Sequence, residues 1–321
     1  MRFPTDLLEL GQMFSSDEAC LEYMIQVRWP EGFQCPKCGG HEARFMPERK
    51  ALRCVRPSCD HWVFINQGTV MEKSKTSLCK WFAGAYMMTT VTPGMSALQF
   101  QRQAGIPSYE CAFQMFHKLR AAMVVPFRSK LEGEVEMDES IIGGHRIGPR
   151  GRGAEGKSLV IGAVEVVHYR DKGGKERTRA GRARLLHAED ACNRVIVSFL
   201  KDYVAAGTLV RTDGWKGYEG IEKYGYRHDP FILHDPEQAS KVFPHIHRVF
   251  GNLKAWIIGT FHGVSPKHMQ AYLNEYVFRF NRRFNPWEAF NSALGLASES
   301  EAPTYQQLYR TGTKMGWEHP Q

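Results

Sequence analysis

Six side chains of this 321-residue sequence have the type and spacing to do chemistry. Four are cysteines: Cys35-Pro-Lys-Cys38-Gly-Gly and Cys54-Val-Arg-Pro-Ser-Cys59, with 15 residues between Cys38 and Cys54. Two thiolates on a tight turn can share one ion, and a second such turn closes a tetrahedron, which is the ligand set of zinc. Four protein ligands leave no open position, so the pattern predicts a structural Zn²⁺. Gly39 and Gly40 permit the turn, and Phe33, Phe45, Trp62 and Phe64 are read as a small apolar layer around it. His41 and His61 are read as neighbours of the site, and Cys20, Cys79, Cys111 and Cys192, which lack paired spacing, as small core residues.

The other two are aspartates. Asp138 interrupts the strand-like run Val135-Glu136-Met137-Asp138-Glu139, and Asp213 directly follows Thr208-Leu209-Val210-Arg211-Thr212. Adjacent strand ends would bring them together, and two such carboxylates repel unless a cation lies between them; Mg²⁺ prefers this kind of hard oxygen pair. A second reading stands beside this one: Asp138 and Asp213 as separate turn or cap residues, a role aspartate favours.

The elements that must position these groups are legible in outline. Leu78, Trp81, Phe82, Ala85, Tyr86 and Met88 mark an amphipathic helix. Ser96 to Gln103, the turn Ala104-Gly105-Ile106-Pro107 and a helix capped by Ser108 predict a helix-turn-helix, with a plain helical linker as the alternative. Strands are predicted over 134–140, 158–169 and 179–186, a helix over 190–203, a buried strand over 208–212, and helices over 215–224, 246–258 and 267–283. Three strands in hairpins followed by helix, strand and helices is the order of a ribonuclease H-like α/β fold.

Composition agrees with a folded body: 43% of residues are hydrophobic and 24% charged, which excludes disordered and collagen-like classes. Lys plus Arg number 42 against 34 acidic residues. The excess is local, with 11 basic against 4 acidic residues over 144–184 and 6 against 1 over 243–285. Basic surface on a folded body points to a polyanion. No apolar leader and no stretch of about 18 apolar residues is found, so the expectation is a cytoplasmic protein with no membrane partner. The glycine- and arginine-rich run 148–153 lacks a nucleotide-binding loop's context and is read as a flexible basic hairpin. Scattered histidines, including His228, His234 and His268, lack metal spacing.

The cysteine knuckles, Val135-Glu136-Met137-Asp138-Glu139, Arg211-Thr212-Asp213-Gly214-Trp215-Lys216-Gly217-Tyr218, His247-Arg248-Val249-Phe250-Gly251-Asn252-Leu253-Lys254 with Gly259-Thr260-Phe261-His262-Gly263-Val264-Ser265, and Tyr272-Leu273-Asn274-Glu275-Tyr276 with Arg279-Phe280-Asn281-Arg282-Arg283 occur in this order. In that order the sequence resembles the ISXO-type insertion-sequence transposases, of the DDE superfamily. The resemblance implies metal-dependent DNA cleavage and strand transfer by two Mg²⁺ (or Mn²⁺) ions, on element terminal repeats and target double-stranded DNA, within a homo-oligomeric synaptic complex. It carries over Asp138 and Asp213 as catalytic metal ligands, Asn252 as the third position and Lys254 as the lysine that follows it. His247, seven residues before Lys254, is the alternative third position, and Glu275 a further one. Arg248, Lys254, Arg279, Arg282 and Arg283 are read as contacts to DNA phosphates.

The expected organisation is a zinc-ribbon region over 1–74, a helix-turn-helix segment over 75–128, a ribonuclease H-like domain over 129–290 and a C-terminal tail over 291–321. Two rival functions fit part of the pattern: a non-enzymatic zinc-ribbon DNA-binding regulator, and a ribonuclease H-like nuclease that cuts without joining.

Overall fold

Short polar side chains start the N-terminal helices. Asp6 accepts from the Glu9 N–H ahead of α1 (Leu7–Met13), and Ser16 from the Ala19 N–H ahead of α2 (Asp17–Arg28). The computed structural model describes residues 3–124, 128–143, 157–232 and 241–299. They divide into one unit formed by residues up to 125 with those from 284 onward, and another formed by residues 126–283.

In the first unit, α2 is followed by a three-stranded antiparallel sheet of β1 (Ala43–Met46), β2 (Ala51–Cys54) and β3 (Trp62–Phe64), in that order. Then come α3 (Leu78–Thr90), α4 (Ala97–Ala104) and α5 (Tyr109–Ala122). Ser96 and Ser108 cap α4 and α5 by accepting from Gln99 and Cys111, and Gly105 ends α4 in the left-handed conformation. The helical hairpin therefore has the predicted bounds within a residue. Its second helix is largely enclosed: Met115, Phe116, His117, Leu119 and Arg120 are buried, and Tyr109 and Glu110 at its start are the exposed positions.

The second unit is mixed α/β. Its five-stranded sheet has the order β6-β5-β4-β7-β8, from β4 (Glu134–Ile142), β5 (Ser158–Arg170), β6 (Glu176–Ala188), β7 (Leu209–Asp213) and β8 (Arg227–Phe231). β4, β5 and β6 are antiparallel neighbours, whereas β7 runs parallel to β4, and β8 parallel to β7. Helix α6 (Asn193–Tyr203) covers one face over Val135, Met137, Ile161 and Val210. α7 (Pro244–Phe261) and α8 (Met269–Asn281) cover the other over Val160, Val164 and Leu185. Alternation along β4 thus sends Val135 and Met137 to the α6 layer and Glu136 and Asp138 to the α7 layer.

The sequence reading differs from the structure in several places. Residues 215–224 form two short 3₁₀ turns, Lys216–Tyr218 and Ile221–Tyr224, because Gly220 between them has φ +77° and breaks a continuous helix. β8 escapes the sequence reading because Arg227-His228-Asp229-Pro230-Phe231 is a polar edge strand. α9 (Pro286–Glu299) runs from the end of the expected ribonuclease H-like domain into the expected tail, and its Phe290 is fully buried and packs edge-on with Phe82 and Tyr86 of α3. Residues from 284 onward therefore group with the N-terminal unit and not with the α/β body. Cys192 is exposed and not a core residue, and Phe64 is 44% exposed, so Ala51, Leu52, Cys35 and Cys54 form the interior of the small sheet. The run 148–153 and His234 lie outside the described residues. Among the described residues no helix is long and apolar enough to cross a membrane.

Candidate active site and zinc centre

The ligand atoms of Cys35, Cys38, Cys54 and Cys59 all lie within 4.8 Å of one another. The Sγ separations of 3.7 Å for Cys35–Cys59 and 3.6 Å for Cys38–Cys54 match the edge of about 3.8 Å of a tetrahedron with Zn–S bonds of about 2.3 Å. They are far longer than a disulfide bond of about 2.05 Å. Each knuckle ends on a left-handed residue, Gly39 at φ +68° and Asp60 at φ +45°. Asp60 holds that strained conformation beside an ion pair with Arg53. His41 and His61 are not members of the cluster. The donor set fits zinc and leaves it no free position.

The aspartates meet on the α/β sheet. β4 and β7 are in parallel register with Glu136 opposite Arg211, so two residues further Asp138 and Asp213 stand side by side on the face that α7 covers. Asp138 is pushed up to about 7, first by burial, then by the charges of Glu139 and Asp213, while Lys254 opposes the shift. Its Oδ1 accepts from the Glu139 N–H at 2.8 Å. A carboxylate pair short of positive charge fits a divalent cation.

α7 supplies the remaining groups. His247 Nε2 lies 3.7 Å from Asp138 Oδ2. Burial, and then Lys254, push the His247 imidazole below its usual range against the pull of Asp213, which favours the neutral ring that can offer a lone pair. Lys254, seven residues on, falls within about 20° of His247 around the helix. Asn252 does not join them. Five residues after His247, it points about 140° away around the helix and is exposed. The structure thus brings together Asp138, Asp213, His247 and Lys254, and leaves Asn252, the residue preferred from the resemblance, outside the group. Glu275 is fully buried and paired with Arg279 at 3.7 Å, which removes it as a ligand candidate.

Two residues outside the sequence reading set this geometry. Glu136, two before Asp138 and on the same face, accepts from the His245 and Ile246 N–H groups at 2.8 and 2.9 Å. The first turn of α7 has no side-chain cap of its own, so a strand carboxylate performs that task and fixes the helix against β4. The alternation Val-Glu-Met-Asp, with two carboxylates on one face, was the available signal. Gly162 pairs with Asp138 across β5; a Cβ there would lie 2.8 Å from both Leu185 Cδ2 and Phe250 Cζ. Its signal was a glycine inside an apolar strand. Gly162→Ala is expected to destabilise the protein by about 1–3 kcal/mol, measured by urea unfolding, because α7 must move off the sheet.

The segment after Asp213 is equally constrained. Asp213 Oδ1 accepts from the Trp215 N–H at 3.0 Å, and Asn193 Nδ2 donates to the Gly217 and Glu219 carbonyls. A Cβ on Gly217 would lie 2.7 Å from the Ala191 carbonyl oxygen. The buried Tyr218 donates its hydroxyl to Glu139 Oε2 at 2.8 Å.

The predicted phosphate contacts separate into two groups. Arg248 and Lys254 are exposed on α7. Arg279 is instead partly buried beside Glu275, its guanidinium 5.9 Å from the Trp256 ring centroid. Arg283 donates to the Phe280, Gly181 and Ala180 carbonyls, and Arg282 stacks 4.0 Å over Phe278. Asn281 pairs both polar groups of its side chain with the Ala183 backbone, and Gln270 accepts from the His187 N–H. The Arg-Phe-Asn-Arg-Arg run therefore covers the edge of β6. Arg279 and Arg283, expected at DNA phosphates, thus have internal partners in the α/β unit.

Comparison with known proteins places these features in one family. Residues 130–281 match the ISXO2-like transposase domain, and residues 15–61 the transposase zinc-ribbon domain. The chain is 26% identical over 279 residues to a Halobacterium salinarum protein described as an uncharacterized protein in transposable element ISH50, a match spanning 83% of this chain and 91% of that protein. The zinc knuckles and the carboxylate-bearing sheet fall inside the two matched domains, so the chain carries a transposase zinc ribbon followed by an ISXO2-like transposase domain.

Proposed function

We propose that the chain is an active insertion-sequence transposase that binds element ends in the cytoplasm, cuts DNA at them and joins the freed end to target DNA. The observation that carries this reading is the convergence of Asp138, Asp213, His247 and Lys254 on one face of the sheet. The strand order, with three antiparallel strands followed by two added in parallel on the other side of β4, supports a ribonuclease H-like body. The domain roles follow: the zinc ribbon and helical hairpin recognise DNA, and the α/β unit carries the chemistry.

Asp138 and Asp213 would hold Mg²⁺ or Mn²⁺, with His247 as the third ligand in place of Asn252. The metal supplies Lewis-acid polarisation of the phosphodiester and a more acidic water or 3′-hydroxyl. Glu136 keeps the start of α7 in place, so His247 stays beside Asp138. Lys254 and Arg248 meet phosphate oxygens next to the scissile bond. Two DNA ends have to be joined in one reaction, which calls for a homo-oligomer when the ends are paired.

A joining assay on labelled element ends with Mg²⁺ or Mn²⁺ tests the reading. Wild type is expected to cut and join, and Asp213→Ala to do neither. Cutting without joining would favour a plain nuclease, and DNA binding with no metal-dependent cutting a regulator. The third position has its own comparison: His247→Ala is expected to lower joining by on the order of a hundredfold or more, while Asn252→Ala keeps the wild-type rate. The reverse result would restore Asn252.

A further inference from the structure

β5 and β6 continue past the rest of their sheet. The pairing of β4 with β5 runs out at Val135 opposite Glu165, whereas β5 and β6 stay paired to Arg170 opposite Glu176. Residues 168–179 therefore form a two-stranded ribbon, and all of them except Asp171 are exposed. With no core beneath it, the ribbon is held at its base by His168 beside Glu134 at 2.8 Å and Thr178 beside His245 at 2.9 Å, and at its tip by its turn. The Asp171 carbonyl accepts from the Gly174 N–H at 2.9 Å, and the Asp171 N–H donates to the Lys175 carbonyl at 3.0 Å. Asp171 Oδ1 also accepts from the Gly173 and Lys175 N–H groups, and its Oδ2 from Arg177 Nε at 3.1 Å. This is a type I turn followed by a left-handed glycine, a three-residue hairpin loop that suits the twist of the strands.

The charges of the ribbon are unequal. It has five basic residues, Arg170, Lys172, Lys175, Arg177 and Arg179, against Asp171 and Glu176. Both acids are engaged within the ribbon, Glu176 with Arg170 at 3.5 Å and Asp171 with Arg177 at 3.1 Å. A surplus of three positive charges remains, with Lys172 and Lys175 at the tip. A paired ribbon has the dimensions that a DNA major groove about 12 Å wide admits. At about 3.3 Å per residue its tip reaches about 26 Å along β5 from Gly162, the partner of Asp138.

We propose that the β5–β6 ribbon is a second DNA-binding element, an arm that grips the backbone of duplex DNA away from the cutting site through Lys172 and Lys175. The proposal rests on the transposase reading and adds a surface to it. Lysines on an exposed strand pair also discourage edge-to-edge association, and the two roles separate by experiment. Binding of the full-length protein to a mixed-sequence DNA duplex is measured by fluorescence anisotropy through a salt titration, for wild type, Lys172→Ala/Lys175→Ala and Lys172→Arg/Lys175→Arg. The alanine pair is expected to bind roughly tenfold more weakly at low salt and to lose about 1.8 from the slope of log K against log salt, at about 0.9 per phosphate contact. The arginine pair should restore both. Both positions are exposed, and an unchanged melting curve for each variant excludes a folding defect. Equal affinity and slope for wild type and the alanine pair would overturn the arm while leaving the transposase reading intact. Failure of wild type itself to bind duplex DNA would overturn that reading.

Discussion

Asp138→Asn is expected to abolish strand joining and, in the same protein, to raise the stability of the metal-free α/β unit. The loss follows from removing a negative oxygen donor from the proposed metal site; a fall of a thousandfold corresponds to about 4 kcal/mol of transition-state stabilisation, and the effect should be at least of that order. The gain follows from the position of the Asp138 carboxyl, which burial and the neighbouring Glu139 and Asp213 charges push up to about 7 from an ordinary value of 3.8. The folded state binds this proton more tightly than the unfolded chain does. Stability is therefore lost as pH rises from about 4 through 7, and the ionised carboxylate remains a cost above that window. At about 1.4 kcal/mol per pH unit of displacement, asparagine is expected to recover on the order of 4 kcal/mol at pH 8 and little at pH 4. Calorimetry at the two pH values measures the difference. Added Mg²⁺ should raise the wild-type transition and leave that of Asp138→Asn unchanged. Wild-type joining by Asp138→Asn would remove Asp138 from the site.

The second large effect concerns zinc. Removing the metal with a strong chelator, or replacing a ligand in Cys59→Ser, is expected to unfold the β1–β3 ribbon and abolish recognition of element ends. The small sheet encloses little besides Ala51, Leu52, Cys35 and Cys54, too little apolar area to fold residues 35–64 without the ion. Structural zinc contributes about 10–16 kcal/mol in small domains of this kind. Elemental analysis should find one zinc per wild-type chain and none firmly held in Cys59→Ser. The thermal transition of the α/β unit should survive in the variant. A ribbon that kept its chemical-shift dispersion after chelation would refute a metal-dependent fold.

The zinc ligands were legible because sulfur spacing on two turns determines a metal site almost without reference to tertiary structure. The helical hairpin was legible for a similar reason: Ser96, Gly105 and Ser108 are local signals, and the structure uses each of them. Which of the two residues near Lys254 stands beside Asp138 was not. The sequence near Lys254 offered His247 and Asn252, and motif order preferred the latter. What separates them is which side of α7 faces β4, fixed by Glu136 binding the helix start and by Gly162 admitting Phe250 against the sheet. Neither contact is local in sequence. The internal partners of the arginine cluster were not legible either. Arg279 and Arg283 have the charge of phosphate contacts, but their partners are Glu275 and the carbonyls of residues 180 and 181, visible only once α8 lies along β6.

That placement of α8 also bears on how copies of the protein can assemble. The backbone groups at one margin of the five-stranded sheet are already bonded by Gln270, Asn281 and Arg283. The other margin is β8, which is five residues long and contains Pro230, a residue with no N–H to offer. Neither margin is suited to accept a strand from a neighbouring molecule. If copies pair across DNA ends as proposed, contacts of the α/β unit would use side-chain surfaces, whose strength can be tuned by surface substitution without rebuilding the sheet that holds Asp138 and Asp213.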